Sequence, residues 1–149
     1  MKKEKSAGVI IFYVEDGKPL YLLLKYQRYG RVHWGFVKGN IDKGETEEET
    51  AKREAEEEAG FKDLVFLPGF KESQHFFFQT DKKELVSKDV IFFLAETKSK
   101  NVKLSHEHSD HEWPDFESAL KILRFKNQKL MLAKANEAVL EWVRQKNLA

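Results

Sequence analysis

The segment from Thr46 to Gly60 constrains this chain more than any other, because its local signals all point to one element. Thr46 is followed three residues later by Glu49, a spacing that lets hydroxyl and carboxylate satisfy the free N–H groups of a helix start. Gly60 supplies the left-handed residue on which helices commonly end. Ala51, Ala55 and Ala59 recur every fourth residue, giving the predicted helix, 46–59, a slim side that can pack closely on a sheet. Its surroundings read differently. Val9–Val14 and Leu20–Tyr26 are β-branched and aromatic runs joined by Glu15-Asp16-Gly17-Lys18-Pro19, a hairpin signal. Residues 62–67, 70–80 and 86–97 read as further strands, the last two around the polar tip 81–84, and Glu112-Trp113 as a short final one. A short helix is expected after Asp115, a good N-cap. A longer one is expected over Asn127–Gln145, where Leu130, Ala133, Val139, Leu140 and Val143 form a packing face. One helix embedded among strands and one at the end predict an α+β sandwich. No repeat or linker interrupts residues 1–149, which suit a single domain.

Composition removes several function classes. With no cysteine, disulfide scaffolds, thiolate zinc sites and cysteine nucleophiles are excluded. A formal net charge of +1 argues against a protein governed by non-specific attraction to nucleic acid or membrane. The longest apolar runs, from Val9 and Val90, are six residues each, too short for a bilayer span or a signal-peptide core. The expectation is a soluble, cytoplasmic protein with no membrane partner and no stable nucleic-acid partner.

The near-neutral total hides an acidic segment. From Glu45 to Glu58 there are eight Glu against Lys52 and Arg53, a local charge of −6. Glu47, Glu48 and Glu49 sit in the first helical turn, where the helix dipole favours anions. Glu54, Glu56, Glu57 and Glu58 crowd the last turn, where it disfavours them, and Glu54 and Glu58 form a like-charge i, i+4 pair. Glu54, Glu57 and Glu58 share one face, a hard-oxygen set suited to Mg2+ or Mn2+. Charge pattern alone leaves two readings open, a metal site and a solvated charged face.

The complete spacing separates them. Gly39 is followed by five residues and Glu45, then by seven residues and Arg53-Glu54, then by Ala55, Glu57-Glu58, Gly60 and Phe61. This stretch, 39–61, resembles the Nudix box, the loop–helix–loop signature of hydrolases acting on nucleoside diphosphates linked to another moiety. The resemblance implies an α/β/α sandwich around a mixed sheet. Two rival motifs overlap it. "GNIDKGET" approximates a phosphate-binding P-loop but puts Glu45 where the lysine must be, a disabling charge reversal. "HEHSDH", His106 to His111, matches the ligand string of a dinuclear zinc hydrolase, yet His111 is the last histidine and too little chain follows to complete the ligand set.

The flanks refine the resemblance. "HWGFVKGN", "LSHEHSDHEW" and "RFKNQK", with "SAGVIIF", "YLLLKY" and "PGFKES", are similar to the animal and archaeal type of asymmetrical diadenosine tetraphosphate hydrolases. That family releases ATP and AMP by water attack on the polyphosphate, so a small nucleotide is the implied partner. By this resemblance Glu54, Glu57 and Glu58, with Gly39, are metal ligands, and Arg53 pairs with Glu45 to tie helix to loop. Glu107 falls at a position associated with the metal centre or the base. Lys38, His33 and Lys88 match residues facing the phosphate chain, although Lys88 also reads as a sheet-edge lysine that blocks aggregation. Phe76 and Phe125 match aromatic positions that clamp adenine. Val37 replaces a common Pro and Phe76 a frequent Tyr, so other nucleotides, or nucleotide sensing without catalysis, are the alternatives.

Overall fold

The computed structural model describes residues 1–28 and 30–148, and the side chain of Arg28 lies outside that description. Strand β1, Lys2–Glu15, turns through Asp16 (φ 50°) and Gly17 (φ 80°) into β2, Lys18–Tyr21. Two successive positive φ angles match the right-handed twist of a tight hairpin, so the Asp-Gly turn forms as predicted. The run expected as one strand over Leu20–Tyr26 is instead divided. After Leu22 the chain leaves the first sheet as β3, Leu23–Arg28, which pairs with β4, Arg31–Gly35, and with β9, His111–Glu112. Strands β4 and β5, Val37–Asn40, occupy a stretch to which the sequence reading gave none. The chain continues through α1, Glu47–Ala59; β6, Val65–Phe66; β7, Glu72–Gln79; and β8, Leu85–Glu96. After β9 come α2, Phe116–Ile122, capped by Asp115, and α3, Lys126–Leu148.

β1 and β8 run parallel at the centre of a mixed six-stranded sheet, and every other pairing in it is antiparallel. From Ala7 to Phe12 β1 is buried on both faces, which is why it reads as an unbroken apolar run rather than an alternating one. Val9 and Ile11 pack under Ala51, Ala55 and Ala59 of α1. Ile10 and Phe12 pack on the other side with Met131, Leu132 and Val139 of α3. The sheet therefore lies between helices, the α/β/α arrangement of an α+β fold. Among the described residues no helix is long and apolar enough to cross a membrane.

Candidate active site

Helix α1 begins and ends as its sequence dictates. Thr46 Oγ1 accepts from the Glu49 N–H at 3.1 Å, and Glu49 Oε1 accepts from the Thr46 N–H at 2.9 Å. At the other end Gly60 (φ 78°) donates to the Glu56 carbonyl at 2.9 Å. The loop before β9 supplies what an acidic helix end lacks. Lys103 N–H donates to the Ala59 carbonyl at 2.9 Å and Ser105 N–H to the Glu58 carbonyl at 3.3 Å. These bonds bring Glu107 and His108 to the end of the helix.

Arg53 organises the acidic side chains. Its Nε and Nη2 donate to the two Glu45 carboxylate oxygens at 2.7 and 3.0 Å, and Nη2 also donates to the Asn40 carbonyl at 3.0 Å. Nη1 donates to Glu54 at 2.9 Å and Glu57 at 3.1 Å. The expected Arg53–Glu45 tie between helix and loop is thus formed, and bidentate. Arg53, together with the Asp42 N–H, lowers the Glu45 pKa to about 2.

Glu54 lies directly on the Cα of Gly39. A Cβ built on Gly39 would sit 2.1 Å from Glu54 Cδ, so the glycine makes room for a carboxylate. Burial, with the hydrogen bond and charge of Glu58, pushes the Glu54 pKa well above the usual carboxylate range. Glu58 is buried as well, while Glu57 is exposed. Carboxylate oxygens of Glu58 and Glu107 and a ring nitrogen of His108 all lie within 4.8 Å of one another.

His108 and Tyr26 join this group without having been foreseen. His108 Nδ1 stands 3.0 Å from the Lys25 carbonyl, which can only accept, so Nδ1 carries the proton. Its Nε2 lies 3.3 Å from Glu58 and, among the described residues, is a buried polar atom without a well-formed hydrogen bond. Burial lowers the His108 pKa, but the Glu58 carboxylate and the Lys25 carbonyl outweigh burial and raise it. Tyr26 Oη donates to the Phe36 carbonyl at 2.5 Å and lies 3.4 Å from Glu58. The one available signal was "HEHSDH", read as a rival zinc string. In the fold His106 is exposed, His111 pairs opposite Leu24, and His108 alone of the three enters the acidic cluster.

The remaining candidates flank the cluster in two sets. The Tyr26 ring stacks on His33 with centroids 5.3 Å apart, and Phe125 meets His33 edge-on at 5.8 Å. Lys38 Nζ lies 5.7 Å from the Phe76 ring centroid. Phe76 stands opposite Lys88 in the β7–β8 register. Lys88 is buried in an interior strand between β1 and β7, which overturns its reading as a sheet-edge lysine. Phe76 and Phe125 thus rest on different neighbours, Lys38 and His33. Their elements are linked where the Gln74 amide donates to the Asn127 carbonyl.

A mixed sheet between helices, with paired carboxylates closing the embedded helix, defines the class to which this chain belongs. The NUDIX domain model matches residues 2–142, and the chain is a member of the Nudix family. Asymmetrical bis(5'-nucleosyl)-tetraphosphatase of Mus musculus is 32% identical over 142 residues, covering 89% of this chain and 93% of that protein. The enzyme of the same name from Caenorhabditis elegans is 33% identical over 131 residues, covering 87% and 92%. A crystal structure of a C. elegans Ap4A hydrolase binary complex superposes with a TM-score of 0.79 at 32% identity, over 91% of this chain and 97% of that one. The NUDIX domain of Shewanella oneidensis NrtR, crystallised with ADP ribose, shares the fold with a TM-score of 0.70 at 16% identity.

Proposed function

We infer that the protein is a divalent-metal-dependent hydrolase of dinucleoside polyphosphates that splits diadenosine tetraphosphate into ATP and AMP. The geometric observation carrying this reading is the Glu54 carboxylate seated on Gly39 beside a second buried carboxylate, Glu58. The similarity to asymmetrical tetraphosphatases along most of both chains supports the substrate.

The oxygen donors we assign to a hard cation are Glu54, Glu57, Glu58 and Glu107 with the Gly39 carbonyl; the glycine cradle that a Cβ would fill and the proximity of Glu58 to Glu107 support the assignment. Mg2+ or Mn2+ is the ion this set favours, and when bound it supplies neutralisation of phosphate charge and acidification of water. The chain's own residues do the rest. Arg53 fixes Glu45, Glu54 and Glu57 in one arrangement. Lys38, Lys88 and His33 hold the polyphosphate, and Phe76 and Phe125 offer apolar faces to adenine, each stack worth roughly 1–3 kcal/mol. Water forms the new P–O bond as the bridging P–O bond breaks, and its proton passes to an exposed carboxylate, Glu57 or Glu107.

Product analysis tests this. With Mg2+ and diadenosine tetraphosphate, ATP and AMP should appear in equal amounts, faster than any product from ADP-ribose, nucleoside triphosphates or triphosphate-ended RNA. Glu58→Gln should lower the rate by about 10²–10³-fold. An untouched dinucleotide beside rapid turnover of another substrate would reject the proposed specificity, and full activity in Glu58→Gln would reject the site.

A further inference from the structure

A second constellation lies on the open face of β7 and β8, built from residues with no part in the acidic cluster. His75 stands opposite Asp89 in the β7–β8 register, and Ser87 lies one position along the same face, opposite Phe77. His75 Nδ1 is 2.5 Å from Asp89 Oδ1, and His75 Nε2 is 3.0 Å from Ser87 Oγ. In the neutral imidazole a carboxylate partner, which can only accept, places the ring proton on Nδ1 and leaves Nε2 to accept from the Ser87 hydroxyl. A hydroxyl backed by an imidazole whose tautomer is fixed by a carboxylate is the arrangement that activates serine for acyl transfer, whatever fold carries it.

The surroundings suit that chemistry. The three side chains occupy the strand positions that alternate with Phe76 and Lys88, so they face away from them. Phe77 is 64% exposed and touches the His75 ring edge-on, with centroids 4.5 Å apart, an apolar platform beside the hydroxyl. Lys3 stands opposite Ser87 in the β1–β8 register, on the same face of the sheet.

We propose that Ser87, His75 and Asp89 form a second catalytic site that hydrolyses small activated carboxylic esters. Ser87 Oγ adds to the ester carbonyl carbon as its proton passes to His75 Nε2. The carbon–alkoxide bond then breaks, and His75 returns the proton to the departing alkoxide. Water repeats the sequence on the acyl-serine, releasing the carboxylic acid and restoring Ser87.

The test treats the folded full chain with p-nitrophenyl acetate for turnover and with a fluorophosphonate probe for location, the adduct being placed by peptide mass spectrometry. The probe should modify Ser87 ahead of every other hydroxyl, and Ser87→Ala should abolish ester turnover while leaving the melting transition in place. His75→Gln, with the hydroxyl still present, should slow modification of Ser87 by about a hundredfold or more. An unmodified Ser87, or one modified as fast in His75→Gln as in the parent, would overturn the proposal. So would ester turnover surviving in Ser87→Ala.

Discussion

A methyl group on Gly39 would lie 2.1 Å from both Cδ and Oε1 of Glu54, so Gly39→Ala cannot be accommodated without moving that carboxylate. The backbone at 39 has no left-handed φ, so alanine can adopt its conformation and the chain should still fold. The substitution therefore tests the position of one proposed ligand rather than the integrity of a loop. Divalent-metal affinity, read by Mn2+ titration, should fall by about 10–100-fold with little change in the melting temperature. Unchanged affinity would remove Glu54 from the ligand set. Gly39, Glu45, Arg53 and Glu54 were legible in the sequence because one rigid helix and the loop before it fix their spacing. Tyr26 and His108 were not, since they reach Glu58 only when β3 and the loop before β9 fold against the end of α1.

Helix α1 and the loop before it carry their acidity in two opposite thermodynamic senses. Glu45, held low by Arg53, contributes stability that is present above the ordinary carboxylate pKa of 4.5 and lost as pH falls toward about 2. Glu54 runs the other way. Its folded pKa is raised by burial and by Glu58, so the folded state keeps a proton that the unfolded chain releases. Metal-free protein should therefore lose stability as pH rises from about 4.5 through neutrality, the range over which that proton is forced off. Thermal unfolding at pH 6 and pH 8 checks the sign: the metal-free melting temperature should be lower at pH 8, and saturating Mg2+ should remove the difference. Among elements, α1 was the easiest to foresee, since capping box, alanine stripe and terminal glycine are all local. The division of residues 20–26 between two sheets was not, because Tyr21 and Leu23 are buried alike and the switch at Leu22 depends on which strands lie beside them. β4 and β5 escaped notice for a related reason: Gly35 and Gly39 break the apolar pattern by which strands are recognised.

At the scale of the whole molecule, one carboxylate fastens the long C-terminal helix to the sheet. Glu96, 5% exposed at the end of β8, accepts from Trp142 Nε1 at 3.1 Å and Lys146 Nζ at 3.0 Å, both on α3, and from Lys98 Nζ at 3.2 Å. Those hydrogen bonds keep its pKa low despite the opposing effect of burial. Glu96→Ala leaves the indole N–H without its acceptor and should cost about 1–3 kcal/mol in urea unfolding, with hydrolysis intact below the new transition. An unchanged urea midpoint would show that α3 is held by its apolar face alone.

The parallel pairing of β1 with β8 also sets an order in time. It joins Lys2 to Val86 and Phe12 to Glu96, so the spine of the sheet closes across roughly 80 residues. The first hairpin and α1 form from neighbouring residues, whereas this pair waits on distant ones. During synthesis at about 5–20 residues per second, the apolar run of β1 waits roughly 4–16 s before its central partner has been made. Throughout that interval the six apolar residues from Val9 lack their central strand partner and leave an adhesive stretch on the nascent chain.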